Sequence, residues 1–286
     1  MSDLVDMDVR SGRMGHRVKA VLRLAVIVLG ASAVAILALA LVRPQLPTAT
    51  LRASNPEVGN YLQAVGTIYA VLLAFVVYVV WGQFDAARKQ VDHEANEVID
   101  LYRTADGFAA AARADVQREL AAYVAAVIRE EWPAMATHGE AVLERTGAHL
   151  DRVWDGLHCL APADDCQRAL HGEALSRFND LSDARTERLT SARMRIPFGL
   201  KLLLYVGAFV MVASMFLVQV DSFAVHAIMT GAMAGAVSHV LYLVIDLDDP
   251  FAGVWRVSPA GFERVERYIA GRRRDHAAAC AVDPAA

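Results

Sequence analysis

The chain of 286 residues is 56% hydrophobic and 21% charged, with mean hydropathy +0.32 and a formal net charge of −4. Soluble proteins average about 45–50% apolar and about 25% charged residues, so the apolar surplus must be concentrated in segments, which excludes a fully soluble enzyme, a disordered chain and a disulfide-stapled secreted domain. A sequence pI near 6.1 gives no electrostatic footprint for nucleic acid.

Four stretches without Asp, Glu, Lys or Arg hold the surplus: residues 24–42, 64–81, 202–218 and 223–245. A hydrocarbon layer of roughly 30 Å is crossed by about 20 residues of helix, so each stretch is predicted to be a membrane span. Lipid offers no partner for backbone N–H and C=O groups, which makes the spans helical. The first span has the basic flank of a signal peptide, and Ala38-Leu39-Ala40 resembles a cleavage site. Its 17 residues up to that site exceed the roughly 7–15 of a signal h-region, so it is read as a retained span.

Lys and Arg near span ends set orientation. Arg10, Arg13, Arg17, Lys19 and Arg23 precede the first span, whereas residues 43–60 carry only Arg43 and Arg52. Arg193, Arg195 and Lys201 precede the third span, and Arg256, Arg264, Arg267 and Arg272-Arg273-Arg274 follow the fourth. All rich flanks fall on one side if both termini are cytoplasmic in an inner membrane. The expected organisation is a cytoplasmic N-terminal segment (1–19), spans one and two (20–84), a helical cytoplasmic domain (85–196), a hairpin of spans three and four (197–246) turning at residues 219–222, and a cytoplasmic C-terminal segment (247–286). Cys159, Cys166 and Cys280 then face a reducing compartment. His158, Cys159, Cys166 and His171 match no standard zinc spacing, so no metal is expected there.

The inserted segment 85–196 carries 20 acidic and 14 basic residues. Apolar residues recur at three and four (Phe84, Val91, Val98, Leu101, Ala105, Phe108, then Val116, Leu120, Tyr123, Val127), the stripe of an amphipathic helix. Pairs such as Asp85–Lys89 and Asp100–Arg103 decorate the other face. Asp106-Gly107 is a predicted break, and Pro133 is expected to end the stretch after Trp132. Further helices are predicted over 134–160 and 166–195, separated by the loop 161–165. No strand pattern, phosphate loop, nucleophile elbow or HExxH pair occurs. The expectation is a bundle or coiled-coil assembly of about three helices, serving oligomerisation and gating, and no enzyme: His239 and Asp246 are accompanied by no nucleophile or cofactor box.

Within the spans, Gln63, Ala74, Tyr78 and Asp85 fall within about 40° of Thr67 at about 100° per residue. Leu72, Leu73, Val76 and Val80 lie opposite. A polar stripe faces protein or water rather than lipid, so this one either hydrogen-bonds another helix or lines a pore. Span four holds Gly231-x-x-x-Gly235, whose small residues permit close helix packing, with His239 continuing the row. Asp246, Asp248 and Asp249 follow; their oxygens could ligate a divalent cation such as calcium, cap the next segment, or pair with the arginine-rich flanks.

The run Phe84-Asp85-Ala86-Ala87-Arg88 with Val91, Glu94-Ala95 and Leu101-Tyr102-Arg103, then Glu131-Trp132-Pro133, and Leu247-Asp248-Asp249-Pro250-Phe251-Ala252-Gly253 with Val257-Ser258-Pro259, resembles bacterial membrane proteins with a bestrophin-like domain. The resemblance implies an all-α membrane protein: four transmembrane helices, a helical cytoplasmic insertion between spans two and three, and a pentameric anion channel whose second span lines the pore. Phe75-Val76-Val77-Tyr78, with Trp81 and Phe84, is similar to that span. Bestrophins clasp calcium with acids that follow a Pro-Phe pair; here the acids largely precede Pro250-Phe251, a departure that weighs against a calcium clasp. The sequence reading is thus a homo-oligomeric, anion-conducting channel with Gln63, Thr67, Ala74, Phe75, Tyr78 and Asp85 along the conduit, partnered by lipid, ions and further copies of itself. The alternative is a non-conducting scaffold or sensor whose helical domain recruits a partner.

Overall fold

A computed structural model describes residues 2–137 and 139–282. The chain is an all-α membrane protein, 87% helical, with no strand among the described residues. In chain order the helices are α1 (Ser2–Val42), α2 (Thr48–Ala53), α3 (Asn55–Thr104), α4 (Ala110–Ala126), α5 (Trp132–Thr137), α6 (Glu140–His158), α7 (Asp165–Arg193), α8 (Phe198–Ser214), α9 (Phe223–Leu247) and α10 (Ala260–Val282). Among the described residues, four segments are long and apolar enough to cross a membrane: Val21–Gln45, Asn55–Gly107, Asp165–Leu217 and Phe223–Leu247. Three contain one of the uncharged stretches whole, and Asp165–Leu217 contains all but the last residue of the remaining one.

The chain divides into two compact units. The first takes residues 1–82, 195–248 and 253–255, and so holds the apolar helices. Inside it, α1 packs along α9 and α3 packs on α8. The connections at one end are fastened by side chains. Asn55 donates through Nδ2 to the Gln219 carbonyl at 2.9 Å and accepts the Gln219 N–H at 3.0 Å. Arg43 donates to the Val220 carbonyl at 2.8 Å and lies over the Phe223 ring at 5.6 Å, while Arg52 pairs with Asp221. Both basic residues of the loop between spans one and two therefore bind the turn of the α8–α9 hairpin.

The second unit takes residues 83–194, 249–252 and 256–286. Its core draws Val91, Val98 and Leu101 from α3, Leu120 and Tyr123 from α4, Val153 and Leu157 from α6, Leu181 from α7, and Phe262, Val265 and Ile269 from α10. Each such side chain contributes about 1.5–3 kcal/mol when fully buried. The C-terminal segment is thus not separate from the inserted domain. Phe262, Val265 and Ile269 form an apolar stripe on α10 that needs a partner, and the insertion supplies it. Arg272–Asp106 and Arg129–Glu266 ion pairs reinforce the attachment.

Local signals explain most boundaries. α3 ends in a tight turn at Ala105–Gly107, where a Cβ on Gly107 would stand 2.8 Å from Leu170. Asp164 caps α7, accepting the Gln167 N–H at 2.7 Å. Pro133 behaves differently from the sequence expectation. Proline lacks an N–H and crowds the carbonyl four residues earlier, but here a widened π-type turn over Val127–Glu131 absorbs the misfit and helix resumes through Thr137. The following helix consequently starts at Glu140 rather than at residue 134.

Candidate functional site

Within the first unit, α3 buries one face and leaves the other uncovered. Tyr69, Val76 and Val80 are buried against the protomer, and Leu72 and Leu73 are half-buried. Gln63, Thr67, Ala74, Phe75 and Tyr78 are exposed, Tyr78 at 77% and Phe75 at 61%. The two rows lie about 180° apart at about 100° per residue. Thr67 donates to the Gln63 carbonyl of its own helix at 2.8 Å, so its hydroxyl is satisfied without crossing to a neighbour. Ile68, Val71 and Trp81 flank the polar row and are exposed too. In the second unit, Asp85 is half-buried and pairs with Lys89 at 2.7 Å.

The buried face is keyed to α8. The Tyr69 hydroxyl donates to the Leu204 carbonyl at 3.1 Å. A Cβ on Gly207 would stand 2.5 Å from the Tyr69 ring, so the ring occupies space that only glycine leaves open. This contact fixes which face of α3 turns away from the protomer.

Gly231 and Gly235 sit against α1. A Cβ on Gly231 would meet Ile36 at 2.9 Å, and one on Gly235 would meet the Ser32 hydroxyl at 2.8 Å. Ser32 donates to the Gly231 carbonyl at 2.8 Å. The partner of this small-residue row is therefore span one rather than the adjacent span three. His239 is exposed and borders an open groove of about 400 Å³ between α1 and α9, lined by Ser32, Ile36, Ala232 and Ala236.

The three carboxylates after α9 are individually engaged. Asp246 accepts the Val254 N–H at 3.0 Å and the Trp255 N–H at 2.7 Å, across a turn in which Gly253 adopts φ +80°. Asp248 accepts the Ile196 N–H at 2.6 Å and pairs with Lys201 at 2.6 Å, joining the end of α9 to the start of α8. Asp249 accepts the Ala252 N–H at 3.1 Å. The described residues contain no group of three His, Cys, Asp or Glu side chains able to hold a metal ion. Cys159 and Cys166 are exposed thiols, His171 donates to the Leu157 carbonyl at 3.0 Å, and His158 stacks on Trp154.

A buried polar network in the second unit escaped the sequence reading. The Arg188 guanidinium, wholly buried, binds Glu94 and Glu131 and donates to the Met135 sulfur at 3.1 Å. Tyr123 donates to Glu94, and Arg185 donates to Glu131 at 2.8 Å. Trp132 and Phe262 rings face the Arg188 guanidinium at 5.9 and 5.5 Å. Burial opposes the charge on Arg188, yet Glu94 and Glu131 outweigh it and hold its pKa well above the ordinary arginine value. Burial and then the Glu94 charge push Tyr123 well above the ordinary tyrosine value. One signal was available: Glu94 stands on the apolar stripe between Val91 and Val98, where an exposed acid has no place.

A family model described as a bestrophin-like domain matches residues 29–262. No curated protein matches the chain. Several solved structures do. A single-residue variant of a bacterial bestrophin homologue from Klebsiella pneumoniae is 18% identical, with 88% of this chain and 99% of that chain covered and a TM-score of 0.63. A second variant gives 18%, 88%, 98% and 0.63. A structure of that homologue phased with zinc gives 17%, 87%, 96% and 0.62. At these identities the likeness establishes the fold.

Proposed function

This chain belongs to the bestrophin-like family, and on that premise we propose that it is one subunit of a homo-oligomeric ion channel in the inner membrane, with both termini cytoplasmic. The observation that carries the reading is the α3 row of Gln63, Thr67, Ala74 and Tyr78, left uncovered by the rest of the protomer. Polar groups at membrane depth turn to protein or water, and a ring of copies with these rows facing inward gives them both. Phe75 and Tyr78 then narrow the conduit, where bulky rings gate by constriction or dewetting. The helical domain holds the copies together. The family resemblance favours five copies and anions.

A specific observation favours cations as the second reading. Residues 53–87 contain no Lys or Arg, and their only charges are Glu57 and Asp85. Rings of acids select cations, whereas anion pores usually carry basic rings. Purified protein in planar bilayers under a potassium chloride gradient separates the two by the sign of the reversal potential. Phe75→Ala and Tyr78→Ala should change the conductance. A monomer in native-mass measurements, without current across a range of pH and calcium, overturns the channel and leaves the scaffold reading.

A further inference from the structure

His226 and Thr230 stand one turn apart on α9, so they share a face, and both are completely buried within this candidate membrane span. His226 Nε2 lies 2.9 Å from the Met215 carbonyl. A carbonyl only accepts, so Nε2 carries a proton, and in the tautomer this fixes Nδ1 presents a lone pair. That Nδ1 makes no hydrogen bond among the described residues, and neither does the Thr230 hydroxyl. The absence of a bond at Thr230 is unusual for this bundle. Thr67 donates to Gln63, Ser214 to Val210 at 2.7 Å, and Ser238 to Gly235 at 3.0 Å, each within its own helix. The Thr230 hydroxyl makes no such bond to its own helix, and it stands one turn from the unpartnered His226 Nδ1.

We propose that the notch between His226 Nδ1 and Thr230 Oγ1 is a binding site for a single internal water molecule. Side chains one turn apart have Cβ atoms about 5–6 Å apart, a gap that one water bridges while donating to Nδ1. The neighbouring α9 side chains Ala227 and Ala234 are small and buried. Water fits the chemistry better than an ion: a cation finds no counter-charge in this pair, and an anion finds a single donor. Lipid supplies no alternative partner, and buried polar pairs of this kind are ordinarily completed by ordered water. The bridge extends the His226–Met215 bond into a continuous strut between α9 and the turn after α8. It is independent of whether the assembly conducts.

The test is a density map of the full chain in lipid nanodiscs at a resolution that shows ordered water, with melting measured on the same preparations. The expected map has a peak about 2.7–3.2 Å from both Nδ1 and Oγ1. Thr230→Ser keeps the peak and the wild-type Tm. Thr230→Val, of equal size, loses the peak and roughly 2–4 °C of Tm. No peak in the wild type, a direct bond from Oγ1 to Nδ1, or a valine variant melting with the wild type overturns the site. If Thr230→Val fails to fold, the wild-type and serine maps decide.

Discussion

Glu94 and Arg188 lie 94 positions apart in sequence and meet at 2.6 Å in the middle of the helical domain, both fully buried. Helices α3 and α7 are joined there by charge rather than by apolar contact. Replacing a buried ion pair by apolar groups is often tolerated, but removing one partner strands the other. Arg188→Leu leaves Glu94 and Glu131 facing each other without their common cation. The expected loss is about 3–5 kcal/mol, read as a fall in the denaturation midpoint. Arg188→Lys should recover little, because a point charge cannot reproduce the fork that reaches both carboxylates and the Met135 sulfur.

Tyr123 makes the same network sensitive to alkali. Burial and the neighbouring Glu94 raise its folded pKa, so the folded state keeps a proton that the unfolded state releases near pH 10. The group's contribution is fully present below that pH, and stability falls as pH rises toward the folded pKa. Melting curves should show a steeper decline above about pH 10 than in Tyr123→Phe. Parallel curves for the two proteins would mean that Tyr123 does not titrate with unfolding.

Gly207 tests how the face of α3 is chosen. Alanine there places a Cβ 2.5 Å from the Tyr69 ring, forcing α3 and α8 apart or the ring out of its slot. Overpacking of this kind costs about 1–3 kcal/mol. Gly207→Ala should lower the thermal midpoint in detergent, and adding Tyr69→Leu should restore part of it. Additive losses in the double variant would show that the two residues are not in contact.

What the sequence made legible was local. Uncharged length found the spans, the loop 161–165 separated α6 from α7, and the periodicity around Thr67 found the face of α3 opposite Val76 and Val80. What stayed hidden depended on distant partners. Gly231 and Gly235 mark a close approach, but nothing near them says that α1 is the helix approached. Phe262, Val265 and Ile269 reveal a face on α10 without revealing that α3 and α4 cover it. Glu94 interrupts the apolar stripe between Val91 and Val98, but nothing near it says that its partner is Arg188, on a helix far along the chain. Pro133 was misread for another reason: the rule that proline ends a helix assumes a regular preceding turn, and the widened turn at Val127–Glu131 removes that condition.

Val76 and Tyr78, two residues apart on α3, separate packing from conduction. Val76 is fully buried in the protomer and Tyr78 is the more exposed of the pair. Truncating Val76 to alanine removes buried methyl groups and leaves a small cavity, a loss of about 1–2 kcal/mol, with the conduit row untouched. Truncating Tyr78 removes nothing from the protomer core, so its melting as a subunit should stay within about 0.5 kcal/mol of the wild type. If the uncovered row lines a pore, Tyr78→Ala widens it, and single-channel conductance or liposome ion flux should change severalfold while Val76→Ala conducts as the wild type does. Reversed outcomes, with Tyr78→Ala unstable and electrically silent, would place that row in a contact between helices and leave conduction to another part of the molecule.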